Sequence, residues 1–298
     1  MSINNATIKR IAKDVKYIMA NGSSLSSENI YYKHDEENIM KGYALIIGQR
    51  DTPYGYGYYF FEFNFPYNYP FAPPEVRYLT NDGAMRFNPN LYINGKVCLS
   101  VLNTWAGESW TACQTIYSIL FTLSTVLCAN PLLNEPGIRE DHNDVHKYNY
   151  LVTYKNVEFA ICKVLRLVCF DEDKSFNKGD VMIMKLFKAI LSETFTNNKE
   201  KIVEFINANR VKYHDLINVS YNVNSVSTSV STSVSEANST SVSTNVSTNV
   251  SEANSTNVSE ANTRRHTRRT NLHISVYNLK YDLDYDILKK LVYELNIA

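Results

Sequence analysis

Ile8, Ile11, Val15 and Ile18 recur at intervals of three and four, which predicts an amphipathic helix over residues 6–20. The stretch "NGSS" from Asn21 breaks it. From about Ile30 to Thr80 the texture becomes aromatic and β-branched, in runs separated by turn residues: "IYYKH", "MKGYALIIGQ" and "YGYYFFEFNF". Three or four antiparallel strands are predicted there. Pro66, Pro70, Pro73 and Pro74 follow, unsuited to a central strand and suited to a rigid extended loop. Residues 111–128 return to helical spacing, with Ile116, Leu120, Leu123 and Leu127 on one face and Ile119 and Val126 on the other. A helix apolar nearly all round is a buried one. "NPLLNEPG" ends it. A further helix is predicted from near Asp144 to about Cys169, and another over 180–208. Leu288, Leu291, Val292 and Leu295 mark a last amphipathic helix, which needs a partner face and implies that the chain returns to dock on its earlier helices.

One segment departs from these patterns. From Ser225 to Asn262 the chain is almost entirely Ser, Thr, Val and Asn, with "VSEAN" beginning at Val234, Val250 and Val258. Its valines mostly recur every four residues, so no regular strand is encoded, and its burial would not offset the entropy of ordering; a disordered insert is expected. "TRRHTRR" (Thr263–Arg269) then reads as a solvated basic segment, weak as a nucleic-acid signal.

Charge and composition narrow the function classes. Thirty acidic and thirty basic side chains cancel over 298 residues, so no global field draws the chain to nucleic acid or to a membrane surface. The N-terminus lacks the continuous apolar run of a signal peptide, and "IYSILFTLSTVLCA" is too short and too rich in Ser and Thr to span a bilayer. Five cysteines, without a paired C-x-x-C, argue against a disulfide framework or a zinc site. An intracellular, reducing location, cytoplasmic or nuclear, is expected. "HNDVH" places His142 and His146 on one helical face, but a metal needs further ligands, and none is expected. Richness in Asn, Tyr, Ile and Lys suggests an AT-rich genome, as in a large virus or a protist.

Candidate chemistry centres on Cys98, in "NPNLYINGKVCLSVLNTW". Cys128, Cys162 and Cys169 sit on apolar faces and read as core, whereas Cys98 follows a glycine turn where a loop should surface. A thiolate is nucleophilic without an adjacent base. A cysteine hydrolase would need a histidine within reach, available only through distant His142, His146 or His214.

"YPFAPPEV", "NPN-x7-C-L-S-x-L" and "NEPG" together resemble the catalytic core of ubiquitin-conjugating enzymes, over roughly residues 5–165. The likeness is to the larger, divergent members that read Asn-Pro-Asn in place of His-Pro-Asn and carry Asn-Glu-Pro-Gly. The resemblance implies an α+β fold: N-terminal helix, four-stranded antiparallel meander, catalytic loop and buried crossing helix. A helical extension (166–223), the low-complexity repeat (224–263) and a basic segment with the C-terminal helix (264–298) would follow. It also implies that Cys98 carries ubiquitin as a thioester. Asn90 would donate to the oxyanion or support the loop, and Glu135 would orient the incoming lysine. Pro89 would rigidify the turn, Asn88 would be largely structural, and Gly95 would supply a left-handed turn into Cys98. Phe71, Trp110 and Ala112 would form the ligase-docking surface, with Lys9 and Lys13 facing the activating enzyme. The usual Ser-Pro-Ala of that surface is here Thr111-Ala112-Cys113, and "NTWAGESW" carries an insertion. The implied partners are ubiquitin or a relative, an activating enzyme, a ligase and a protein substrate. No cofactor is implied, since ATP is used by the activating enzyme. A non-catalytic ubiquitin-binding module of the same fold is the alternative.

Overall fold

A computed structural model of the chain describes residues 4–170, 176–233 and 271–297. The "VSEAN" repeats and "TRRHTRR" lie outside the described residues. The chain divides into two units, Met1–Val211 with Asn271–Ala298, and Lys212–Thr270.

In the first unit, helix α1 (Asn5–Ala20) is capped by the Asn4 side chain, which accepts from the Ala6 N–H, and buries Ile11 and Ile18. A short helix α2 (Gly22–Ser27) leads into strands β1 (Ile30–His34), β2 (Lys41–Ile47), β3 (Tyr58–Asn64) and β4 (Glu75–Tyr78). They form one antiparallel sheet in chain order, with Tyr32 opposite Ala44, Ala44 opposite Phe61 and Phe61 opposite Tyr78. Every residue of β3 before Asn64 is buried. Such a strand is covered on both faces, which explains the unbroken aromatic run Tyr58–Phe61, while Glu62 is paired with Lys41 and Arg77. Tyr59, Phe61 and Phe63 point to the inner face, where Tyr59 donates to Asn156 at 2.6 Å. Phe60 on the outer face meets Phe187, and Tyr58 donates to the Leu191 carbonyl.

Helix α3 (Ile116–Val126) is the buried helix. It begins at Ile116 rather than at residue 111, because Thr115 and Ser118 form a reciprocal capping box there. Cys113 lies exposed in the turn before the helix. Helix α4 (Asp144–Lys155) continues through a π-helical stretch (Asn156–Lys163) into α5 (Val164–Phe170). The wider turn sits at fully buried Asn156, whose amide nitrogen donates to the Gly55 carbonyl at 2.8 Å.

The region predicted as one helix over 180–208 is two, α6 (Lys178–Lys185) and α7 (Lys188–Ser233). The backbone of α7 runs into the segment expected to be disordered. Once a helix is nucleated, each further residue adds a hydrogen bond at little cost, so poor helix formers can extend it. An unpredicted hairpin, β5 (Asn271–Ile274) and β6 (Leu279–Asp282), precedes α8 (Tyr285–Glu294). As the spacing predicted, α8 docks on the earlier helices: Leu288 and Val292 are fully buried, and Glu294 pairs with Arg166 at 3.0 Å.

Among the described residues, no helix is long and apolar enough to cross a membrane.

Candidate active site

The stretch from Arg86 to Thr104 is held almost entirely by backbone-directed hydrogen bonds. Two buried tyrosines suspend its beginning. Tyr148 of α4 donates to the Arg86 carbonyl at 2.7 Å, and Tyr54, from the loop between β2 and β3, donates to the Phe87 carbonyl at 2.7 Å. A buried phenol needs such a partner, and here the partner is the loop itself. Burial pushes both phenols well above their ordinary range, so they remain donors.

Asn88 is fully buried and satisfied at both ends. Its amide nitrogen donates to the Tyr54 hydroxyl and to the Val126 carbonyl at the end of α3. Its oxygen accepts from the Asn90 N–H at 2.9 Å and from Asn134 at 3.4 Å. Asn90 in turn donates its side-chain amide to the Cys98 carbonyl at 2.7 Å, while the Asn90 carbonyl accepts from the Cys98 N–H at 2.9 Å. Of the two roles left open for Asn90, this geometry is that of loop support. Gly95 has φ +86°, the left-handed turn expected of it, and its carbonyl accepts from Tyr78 of β4.

Thr104 completes the frame and was not singled out from the sequence. Its hydroxyl donates to the Val97 carbonyl at 2.7 Å and accepts from the Leu99 N–H at 2.9 Å, clamping both neighbours of Cys98. The chain reaches this position because Asn103 turns it back at φ +56°. Asn is among the few side chains that tolerate such a turn, and that was the available signal. The clamp folds the following loop against residues 97–99, which accounts for one correction. Cys98 was expected at the surface and is only 2% exposed.

Glu135 follows a 3-10 turn (Pro131–Asn134) after α3 and is 28% exposed at its side chain. Its Oε2 accepts from Tyr277 at 2.5 Å and lies 3.9 Å from the Arg86 guanidinium, which itself stacks 3.7 Å over Tyr92. Asn134, the residue before Glu135, links this loop to Asn88 and so to Asn90 and Cys98. Tyr277, from the hairpin, is a second participant the sequence did not reveal.

The five residues assigned to docking separate into two kinds. Arg10, lying between Lys9 and Lys13 in α1, donates to the Ala112 carbonyl at 2.6 Å and pairs with buried Asp14 at 3.0 Å. Asp14 also accepts from Tyr69 of the proline-rich loop. This network brings α1, that loop and residues 111–114 together, leaving Lys9, Lys13 and Ala112 exposed and Phe71 81% exposed. Trp110 does not belong to that surface. It is 8% exposed, packs against Tyr69 and donates its indole N–H to the Pro70 carbonyl at 2.6 Å, joining the two loops from below. His142 uses its ring Nδ1 to accept from the Asp144 N–H at 3.1 Å.

The fold and this cysteine-bearing loop agree with the comparison to known families. The model described as "Ubiquitin-conjugating enzyme" matches residues 10–159, about half of the chain. The chain belongs to the ubiquitin-conjugating enzyme family, with its α+β fold. Among relatives, it is 35% identical over 169 residues to "Ubiquitin-conjugating enzyme E2 Z" of Xenopus tropicalis, covering 56% of this chain and 53% of that protein. The human protein of that name is 39% identical over 138 residues, covering 45% of this chain and 39% of that one. A "Probable ubiquitin-conjugating enzyme" of Acanthamoeba polyphaga mimivirus is 33% identical over 176 residues, covering 55% of this chain and 12% of that protein. The chain thus spans about half, or less, of the length of these relatives.

Proposed function

We propose that the protein accepts ubiquitin, or a ubiquitin-like modifier, from an activating enzyme as a thioester on Cys98 and transfers it to a substrate lysine. The observation that carries this reading is the frame around Cys98, in which Asn90 and Thr104 fix the backbone of the cysteine and both its neighbours. Charging moves the acyl carbon from the activating enzyme's cysteine to the Cys98 sulfur, releasing a thiol. Discharge forms a carbon–nitrogen bond and breaks the carbon–sulfur bond. The Cys98 thiolate leaves, and the protons shed by the lysine ammonium go to water. The chain itself uses no cofactor, and ATP is consumed by the activating partner.

A thioester must survive until the amine arrives. A cysteine packed inward, without a histidine beside it in sequence, suits that demand, because no base is poised to activate water. Loading then requires the loop after Cys98 to give way. Glu135 orients the incoming lysine, whose ammonium, with a reference pKa of ~10.4, must shed a proton before its nitrogen attacks. Asn90 supports the loop that carries the thioester. We place the protein with the Asn-Pro-Asn and Asn-Glu-Pro-Gly class. Phe71 and Ala112 face a ligase, and Lys9 and Lys13 the activating enzyme.

A charging assay tests this. Protein, activating enzyme, ATP and ubiquitin are mixed and resolved on non-reducing gels with and without thiol. The wild type is expected to give a thiol-sensitive adduct. Cys98→Ser should give none, or a thiol-resistant one. No adduct with ubiquitin or any related modifier would leave a non-catalytic binding module of the same fold.

A further inference from the structure

The C-terminal hairpin reaches the candidate active site from a distant part of the sequence. Ser275 Oγ and the Val276 N–H both donate to Asp144 Oδ2 at the start of α4, at 2.6 and 3.0 Å. Asp144 is itself buried and also approached by Lys147 at 3.6 Å. This double hydrogen bond fixes the turn between β5 and β6. The turn delivers Tyr277, whose ring packs against Tyr148 at 5.8 Å between centroids and under the Arg86 guanidinium at 5.6 Å. Its hydroxyl meets Glu135 Oε2. The other carboxylate oxygen, Oε1, has no hydrogen-bond partner among the described residues.

We propose that Tyr277 is a positioning residue for transfer: its phenol tethers one oxygen of Glu135 so that the other faces the lysine ammonium, making the C-terminal hairpin part of the acceptor side of the site. This rests on the assignment of Glu135 above and extends it. A glutamate has three side-chain torsions, and an unattached one on a half-exposed turn would sample several rotamers. Holding Oε2 from one side and screening it with Arg86 from another leaves few of them. The phenol is suited to a permanent tether. Burial first, and then the Glu135 charge, push it far above its ordinary value, so it donates throughout the working pH range. Arg86 couples the tether to the loop. It stacks on Tyr92, between Asn90 and Gly95, and its carbonyl hangs from Tyr148.

The test uses the full chain and Tyr277→Phe, which keeps the ring between Tyr148 and Arg86 and removes only the hydroxyl. Protein charged with labelled ubiquitin is separated from activating enzyme, and single-turnover discharge is followed from pH 6 to 9. Free lysine and hydroxylamine are the two nucleophiles, the second being mostly neutral over the upper part of this range. Lysine discharge is expected to slow about fivefold to tenfold, the scale of one ordinary hydrogen bond. Charging and hydroxylamine discharge should stay within about twofold, which also reports an intact fold. Glu135→Gln should slow lysine discharge similarly, and the double variant no further.

Lysine discharge unchanged in Tyr277→Phe, with Glu135→Gln slow, would overturn the tether while leaving Glu135 in place. Equal slowing with both nucleophiles would make Tyr277 merely structural and overturn it as well. Normal lysine discharge in Glu135→Gln would remove the assignment on which the tether rests. Absence of any adduct in the wild type would instead remove the thioester reading itself.

Discussion

Asn88 and Thr104 show how single polar side chains set the geometry of the Cys98 loop. Replacing Asn88 with alanine would strand the Asn90 N–H and leave the Val126 carbonyl with only its bond from the Cys128 N–H. A loss of roughly 2–4 kcal/mol of stability is expected, read as a lower urea midpoint with unchanged slope. Thr104→Val keeps the shape and removes the hydroxyl, leaving the Leu99 N–H unpaired. It should cost roughly 1–3 kcal/mol in the same experiment and slow charging of Cys98 in a time course. Part of this frame was legible in the sequence. Gly95 announced its left-handed turn, and Asn90 its place two residues after Asn88. Tyr54 and Tyr148 did not, because their partners are backbone carbonyls 33 and 62 positions away. Nothing local distinguishes such a phenol among 22 tyrosines.

Secondary-structure elements with strong periodicity were readable, and those defined by a partner were not. Helices α1 and α8 follow their apolar stripes, while the range predicted for α3 extends from residue 111, five residues before Ile116, where the Thr115 cap starts the helix. The covering of the outer sheet face by α6 and α7 was present in the strand sequences, as the apolar runs Tyr43–Ile47 of β2 and Tyr58–Phe61 of β3. The hairpin of β5 and β6 is four residues a strand, too short for its alternation to stand out. Its attachment carries a pH dependence. Burial alone would raise the Asp144 carboxyl, but hydrogen bonds from Ser275 and Val276 and the charge of Lys147 hold it below its ordinary value. A carboxyl depressed in the folded state stabilises fully above its unfolded pKa of ~3.9, and the contribution is lost as pH falls through the folded value. The urea midpoint should therefore drop below about pH 4. Asp144→Asn should lower the midpoint at neutral pH and flatten that acid slope.

For the whole molecule, the important fact is that residues 271–298 belong to the same unit as residues 1–211. Leu288→Ala, deep under α8, is expected to cost roughly 2–5 kcal/mol. The unit should still unfold in one transition, with tryptophan fluorescence and far-UV circular dichroism coinciding. Separate transitions would mean that the C-terminal elements melt independently of the sheet. Domain organisation was less legible than family, since the motifs crowd into residues 66–137 while the returning segment has only a helical stripe to identify it. The contact between Tyr277 and Glu135 spans 142 positions. During synthesis Cys98 and Glu135 leave the ribosome well before Tyr277. If Tyr277 is the tether proposed for it, a chain released early by a premature stop before Asn271 would, wherever it still folded, be a loadable carrier lacking a set acceptor side. Such a product would hold modifier without passing it efficiently to lysine, competing with the finished protein for the same supply.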